Sequence, residues 1–435
     1  MARKVTKVPQ PTATSRFPPE IVTHILSHLA LEEQPIATLV FQLEDRSAYS
    51  QWIERHILSS SSLLAAILID KLWYSCGVNL LYRRALTVGH DKFALFARTV
   101  TKNPALGDLV QCLAVLDVTT PSESPQWSQR LSGIFTRRRY FRDHWTSVVS
   151  SCPNLVSVGL SYAWASRSTP NLPALLPDCH SFTKLRIISL TGGLLPLKFI
   201  FSTANSPRSF PVTEELSLES FKWDAHFQWP LFPALRALRL SGCSADHGGV
   251  TIPATFPELR VVELACNLLT IESIKSLYPY ANTLESLVIT GNITSDFPSF
   301  AFSQFIELKH LVVDSRSIQS PQSHLPDYIL ALRRLPPNLR TLGIFSPGYA
   351  HNMAALVSTQ ELWRDALLRA CQPNSTLPPL RHLYLEGEAS VWHTVLPELH
   401  DLGSMRNMEI KFVPFCQSPD HFVSDRYANL LIPFK

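Results

Sequence analysis

Beyond residue 110, the hydrophobic residues of the chain fall into one short segment that recurs many times. The segment reads L-x-x-L-x-L, with other aliphatic residues in some of the leucine positions. The full instances are LVSVGL at 155–160, LRIISL at 185–190, LRALRL at 235–240, LRVVEL at 259–264, LESLVI at 284–289, LKHLVV at 308–313, LRTLGI at 339–344 and LRHLYL at 380–385. Degenerate instances are VQCLAV at 110–115, TEELSL at 213–218 and MRNMEI at 405–410. Because apolar and polar residues alternate in its second half, each segment predicts a short β-strand.

These segments recur at a regular distance. Their central positions are 113, 158, 188, 216, 238, 262, 287, 311, 342, 383 and 408, and most neighbours are 22 to 31 residues apart. Proline stands just before several segments, as at Pro153, Pro233, Pro257 and Pro337, where it ends the preceding element. The spacing is close to the roughly 20–29 residues of leucine-rich repeats. Residues 109–435 are therefore predicted to form an α/β solenoid of such repeats, curved, with a parallel sheet on its concave face.

Side chains that alternate with the leucines are predicted to line this concave face, since successive residues of a strand point to opposite faces of a sheet. We expect exposed aliphatic and aromatic side chains among them, such as Val288, Val312 and Tyr384. Aromatic residues with polar neighbours are typical of protein-binding patches. The candidate residues for binding a target protein are Glu219, Arg239, Glu263, Asp314, Phe345, His382, Tyr384 and Glu386.

The N-terminal part of the chain has the pattern of short helices. Residues 1–15 predict a disordered tail, after which Pro18 and Pro19 suit a helix start and residues 21, 22, 25, 26 and 29 form its apolar stripe. Residues 31–62 predict a polar insertion with one helix around 48–58. Residues 63–84 predict two helices, the first ending near Gly77 as a C-cap. Residues 85–108 predict a helical linker that caps the repeats.

The composition is that of a folded protein. Hydrophobic residues make up 46% of the 435 residues and charged residues 17%. A net charge of +4 is too small to indicate a nucleic-acid footprint, which needs basic residues clustered on one face. The N-terminus lacks the apolar region of a secretory signal, and the longest apolar run, residues 63–69, is far shorter than the roughly 20 residues of a membrane helix. We expect a cytoplasmic or nuclear protein that binds neither nucleic acid nor membrane.

No pattern typical of catalysis stands out. The eight cysteines form no C-x-x-C pair, and no Cys/His group has the spacing of a zinc site. Neither G-x-x-x-x-G-K-[ST] nor G-x-G-x-x-G occurs, and GCSAD at 242–246 lacks the second glycine of a nucleophile elbow. The sequence thus predicts a binding scaffold, not an enzyme, with no cofactor and no metal. A hydrolase with its site in residues 162–182 or 345–378 is a weaker alternative.

Two motifs in the N-terminal helices resemble an F-box. The first is Phe17-Pro18-Pro19-Glu20-Ile21 followed by Ile25-Leu26-Ser27-His28-Leu29, and the second is Asp70-Lys71-Leu72-Trp73. Together with the repeats, they make the chain resemble the F-box proteins with leucine-rich repeats that are abundant in filamentous fungi. The resemblance implies a small all-α F-box domain over residues 16–84, ahead of the solenoid.

That resemblance implies a substrate receptor of a ubiquitin ligase. The F-box would dock on a Skp1-type adaptor and through it on a cullin, while the repeats would hold a protein substrate and catalysis would lie in other subunits. The adaptor-binding residues that the resemblance implies are Phe17, Pro18, Glu20, Ile21, Ile25, Leu26, Leu29, Leu72 and Trp73.

The chain departs from the F-box pattern in two places. The insertion at 31–62 separates the two motifs, and Asp70 stands where the family commonly has cysteine or another small residue. A second hypothesis is therefore a leucine-rich-repeat scaffold with a degenerate F-box, which binds a partner without directing its degradation.

Overall fold

A computed structural model describes the chain in twelve segments. They are residues 17–30, 58–116, 144–161, 183–197, 209–223, 227–245, 249–293, 302–314, 325–345, 353–370, 377–387 and 396–414. The chain divides into two compact units, residues 1–159 and 160–435. The predicted tail at 1–15 and most of the predicted insertion, residues 31–57, lie outside the described segments.

Three helices open the first unit and share one core. They are α1 (Pro19–Leu29), α2 (residues 58–67) and α3 (Lys71–Arg83). Pro19 begins α1, where a missing N–H costs no helical hydrogen bond. Asp70 caps α3, because its carboxylate accepts hydrogen bonds from the backbone N–H groups of Leu72 and Trp73 at 2.8 and 3.0 Å. The core of this helical bundle consists of Val22, Leu26, Leu63, Ala66, Ile67 and Trp73.

Gly77 does not end a helix, contrary to the prediction. It lies inside α3, and a Cβ atom at this position would collide with the side chains of Ile67 and Leu26. The glycine therefore allows α3 to cross close to its two neighbours. The two helices predicted within 63–84 are present, but α2 already begins in the predicted insertion, at or before residue 58.

The rest of the first unit contains the first strands. Strands β1 (Arg84–Val88) and β2 (Cys112–Leu116) are parallel neighbours, with Ala85 paired to Leu113. Helices α4 (His90–Lys102) and α5 (Pro104–Gly107) lie between these strands in the chain. Helix α6 (residues 144–151) follows β2. The prediction of a helical linker over residues 85–108 is therefore wrong for its first residues, which belong to β1. Ala85 and Thr87 are buried at alternate positions, as expected of a strand. Strand β1 thus precedes the first strand that the repeated segments predict, the one at 110–115.

The division between the units falls within strand β3 (Ser157–Ser161), and the second unit continues with strands in chain order. These strands are β4 (Ile187–Pro196), β5 (Glu215–Trp223), β6 (Ala237–Ser241), β7 (Ser244–Ala245), β8 (Val261–Leu269), β9 (Ser286–Ile293), β10 (His310–Asp314), β11 (Thr341–Phe345), β12 (His382–Gly387) and β13 (Glu409–Pro414). From β4 onward each strand pairs in parallel with the next, except that β6 pairs with β8 and the short β7 pairs with β5. The chain is therefore an α/β protein built on parallel strands, as predicted.

Helices of the second unit connect these strands. They are α7 (Ile271–Lys275), α8 (Leu325–Arg333), α9 (Met353–Ala370) and α10 (Leu396–Met405), with 3₁₀ turns at Tyr278–Tyr280 and Phe302–Gln304. Helices α8 and α9 pack together through an edge-to-face contact between Tyr328 and Trp363, whose ring centroids are 4.9 Å apart.

The register confirms the alignment of the repeated segments. From β4 to β12, the predicted central positions are direct neighbours in the sheet and all are fully buried: Ile188, Leu216, Leu238, Val262, Leu287, Leu311, Leu342 and Leu383. The last segment is aligned wrongly, because Leu383 pairs with Ile410 and not with Met408. Met405 still belongs to α10, and the left-handed backbone of Asn407 delays the strand by two residues.

Candidate interaction surfaces

Large exposed apolar side chains concentrate in the first unit. Of the twelve that the described segments contain, nine lie between residues 17 and 95: Phe17, Ile21, Ile25, Leu58, Leu64, Leu68, Ile69, Tyr74 and Leu95. Ile21 and Ile25 lie one turn apart on α1 and are 45% and 37% exposed, and Phe17, which precedes the N-cap of the helix, is 46% exposed. We call these three residues the apolar stripe of α1. Leu95 lies in α4, and the other eight lie in or next to α1, α2 and α3, where such a concentration marks a surface that a partner can cover.

The residues predicted to bind an adaptor divide into two groups. Phe17, Pro18, Glu20, Ile21 and Ile25 are exposed. Leu26 and Trp73 lie in the core of the bundle, and Leu29 and Leu72 pack against it half-buried. The second group therefore holds the three helices together, and Leu26 and Trp73 present no side-chain surface to a partner in this conformation.

Helix α2 adds exposed apolar side chains that the sequence analysis missed. The helix buries Leu63, Ala66 and Ile67, whereas Leu64 on the same helix and Leu68, just after its end, are exposed. Leu68 is 71% exposed, so it gains little of the free energy that burial of a leucine side chain yields. The signal was present in the sequence, because residues 63–69 are apolar on every side and one helix face cannot bury all of them.

Five of the eight predicted target-binding residues have described side chains and share one face of the second unit's sheet: Glu219, Arg239, Glu263, His382 and Tyr384. Leu216 and Leu218 of β5 point to the core, so Ser217 and Glu219 point to the opposite face, and the same alternation holds along the neighbouring strands. The register places Arg239 beside Glu263 and Asp314 beside Phe345. The side chains of Asp314, Phe345 and Glu386 lie outside the described part of the structure.

The middle of this sheet face is closed, contrary to the expectation of exposed aliphatic and aromatic residues. Val288 and Val312 are 1% exposed, and Tyr384 is also buried. Val288 is flanked on its own face by Glu263 and Val312, whereas Val312 has Val288 on one side and Gly343 on the other. These two valines therefore add apolar cohesion to the sheet and not an open contact surface.

An arginine between two carboxylates marks one part of the face. The guanidinium of Arg239 lies 3.6 Å from Glu215 Oε2 and 3.6 Å from Glu263 Oε2. Next to this group, the Thr191 hydroxyl donates a hydrogen bond of 2.8 Å to Glu219. Burial raises the pKa of the Glu263 carboxyl, and the positive charge of Arg239 offsets part of that rise. Glu215 was not among the predicted residues, because only the cross-strand register brings it to Arg239.

Glu263→Gln is expected to stabilise the second unit at neutral pH. With a folded-state pKa above the ordinary 4.5, the carboxyl contributes most stability below pH 4.5 and loses it as the pH rises through the raised pKa. A neutral amide avoids this loss, so the variant should exceed the wild type in urea unfolding at pH 7, and the difference should vanish near pH 4. Glu215→Gln is the control, since it removes a partner of Arg239 from a more exposed position. A Glu263→Gln protein less stable than wild type at pH 7 would contradict the assignment.

A second polar group lies at the far end of the same face, on β12 and β13. Glu409 accepts hydrogen bonds from Lys411 at 3.1 Å and pairs with His382 at 3.1 Å. The hydrogen bond from Lys411 lowers the pKa of Glu409. The Lys411 ammonium lies 5.8 Å from the ring centroid of Tyr384, and the His382 ring stacks near the same tyrosine at 6.3 Å. Glu409 and Lys411 are exposed and His382 is half-buried, so the cluster offers charge to a ligand, whereas Tyr384 is buried.

The described segments show no group of three or more His, Cys, Asp or Glu residues that could hold a metal ion. Within the same segments, no helix is long and apolar enough to cross a membrane. Comparison of the sequence with protein-family models and with curated proteins gives no significant match.

Proposed function

We propose that the chain is the substrate-recognition subunit of a Skp1–cullin–F-box ubiquitin ligase. The helical bundle of α1, α2 and α3 serves as the F-box and docks on the Skp1-type adaptor. The second unit serves as a leucine-rich-repeat solenoid, with its strands on the concave side, and binds a target protein. The transfer of ubiquitin belongs to other subunits.

The observation that carries this proposal is the apolar stripe of α1. Phe17, Ile21 and Ile25 are exposed while Val22 and Leu26 of the same helix complete a core. Full burial of such a side chain yields about 1.5–3 kcal/mol, and the isolated bundle forgoes the share that belongs to the exposed 37–46% of each side chain. An amphipathic helix whose outer stripe fits a hydrophobic groove is a common recognition mode. The stripe also contains the residues on which the F-box resemblance rests.

Repeat-specific contacts support the solenoid part of the proposal. Asn154 and Asn338 occupy the same place in their repeats, in Pro-Asn-Leu, and each donates a side-chain hydrogen bond to a backbone carbonyl of the preceding repeat, at 2.8 and 2.7 Å. Cys243 donates in the same way to Leu218 at 3.5 Å. Repeats that satisfy the backbone of their neighbours stack without a separate core.

The ligase proposal and the scaffold alternative differ in a reconstitution experiment. The full chain is mixed with a Skp1-type adaptor, a cullin–RING catalytic core, the ubiquitin-activating and ubiquitin-conjugating enzymes and ubiquitin. We expect ubiquitin to be attached to lysines of the full chain itself, only when the adaptor is present. Adaptor capture without ubiquitin transfer would favour the scaffold. An absence of both would refute the ligase proposal.

Two departures from the F-box pattern suggested the scaffold alternative: the insertion at 31–62 and Asp70. Of these, Asp70 does not support it. As the N-cap of α3, Asp70 stabilises the helix that carries Trp73, so its departure from the family pattern has a local structural reason.

A further inference from the structure

The residues just after the first apolar position of each repeat form a column at the start of the strands. In its second half the column runs Arg260, Glu285, Lys309, Arg340 and Arg381. The backbone N–H of each member donates to the carbonyl of the member before it, at 2.7–2.9 Å. Neighbouring members are therefore held one strand spacing apart, about 4.8 Å.

Charge is balanced in one part of this column and unbalanced in the next. Glu285 forms ion pairs with Arg260 at 3.0 Å and with Lys309 at 2.7 Å. Arg340 and Arg381 are exposed, and neither forms an ion pair with a carboxylate of the described segments. The turns that lead into the two strands add no acid, since Asn338 and Pro379 stand where two earlier repeats have Glu258 and Glu307.

We call Lys309, Arg340 and Arg381 the basic edge. Like charges on adjacent strands repel, and the repulsion is largest where no carboxylate lies between them. The positive charge of the edge also acts on His310, because burial lowers the pKa of this imidazole and Lys309 and Arg340 lower it further. An anion placed along the edge would relieve the repulsion and form charge-assisted hydrogen bonds with the two guanidinium groups.

We propose that the basic edge binds an acidic peptide segment of the target protein. The edge spans about 10 Å at strand spacing, which matches the side chains of a few residues of extended peptide. Arg340 and Arg381 carry its unbalanced charge, because Lys309 is already paired with Glu285. Nucleic-acid binding draws on six to ten phosphate contacts, and anionic membranes attract clusters of about four to eight basic residues, both larger than this edge. The inference rests on the proposed target-binding role of the second unit and names the chemistry of what binds there.

The test uses the full chain and a fluorescein-labelled decapeptide with six glutamates spaced by glycine and serine. Fluorescence anisotropy should show saturable binding at low salt that weakens strongly at 0.5 M salt, because screening shortens the range of exposed charges. The same peptide with glutamine in place of glutamate should bind at least tenfold more weakly. Arg340→Gln combined with Arg381→Gln should weaken binding of the acidic peptide about fivefold, on the basis of two exposed ion pairs.

The matched control is Arg186→Gln combined with Arg236→Gln, which removes two exposed arginines from equivalent column positions beside Glu214. This control should change peptide affinity less than twofold. Equal losses in both double variants, equal binding of the glutamine peptide, or tighter binding of single-stranded DNA or anionic vesicles than of the peptide would overturn the inference. Adaptor capture is measured in parallel. Binding of the peptide without capture of the adaptor would refute the docking proposal and leave the present inference standing.

Discussion

The Ile25→Asp variant is expected to lose at least about 30-fold in affinity for a Skp1-type adaptor. A charge in the middle of the apolar stripe of α1 would be buried without a partner at the interface, and truncating a central interface residue alone often costs about 2 kcal/mol or more. Ile25 is 37% exposed in the free chain, so the substitution also removes part of its burial and should cost the bundle about 1–2 kcal/mol. Isothermal titration of the full chain with the adaptor measures the affinity, and thermal unfolding checks the fold.

Thr23→Asp provides the control on the same helix. Thr23 is exposed and lies about 200° around the helix from Ile25. Its substitution introduces the same charge and the same residue type into α1. It should leave adaptor affinity within about twofold of wild type. If Ile25→Asp binds as well as Thr23→Asp, the apolar stripe is not the docking surface.

The Trp73→Ala variant is expected to lose the folded helical bundle itself. Trp73 is 7% exposed and packs in the core with Leu26, and replacing a buried tryptophan with alanine costs about 3–5 kcal/mol. Hydrogen exchange of the full chain should show α1 and α3 losing protection, while β8 to β12 keep theirs. Adaptor capture should fall as well, through loss of the bundle and not of a contact.

Tyr74→Ala is the neighbouring control. Tyr74 is exposed, so its truncation removes a similar amount of aromatic surface from the outside of the same helix. Protection of α3 should stay close to wild type. Equal loss of protection in both variants would show that the position of Trp73 in the core is not what stabilises the bundle.

The strands of the second unit were predictable because two periods coincide there. Alternation within each segment fixes which side chains enter the core, and the recurring distance fixes which segments pair, so Leu216, Leu287 and Leu342 could be aligned before the fold was known. Strand β13 was misaligned because methionines at 405 and 408 satisfy the pattern, whereas the helix α10 extends to Met405. Strand β1 was missed because its alternation covers five residues between two helices.

The surfaces were less predictable than the strands. Residues 21, 25, 26 and 29 fit one broad apolar stripe in the sequence, but the structure splits them into the exposed Ile21 and Ile25 and the inward-facing Leu26 and Leu29. Only the packing of α2 and α3 decides which part of that stripe is used internally. The pairing of Arg239 with Glu215 likewise depends on register between strands, which no local pattern in the chain specifies.

The central claim is that the N-terminal helical bundle of the full chain is a docking module for a Skp1-type adaptor. The most direct measurement is size-exclusion chromatography of the purified full chain with the purified adaptor, with the mass of the eluting species determined by light scattering. The account predicts a stable one-to-one complex. Separate elution of the two proteins at concentrations of tens of micromolar, with the bundle shown to be folded, would contradict it.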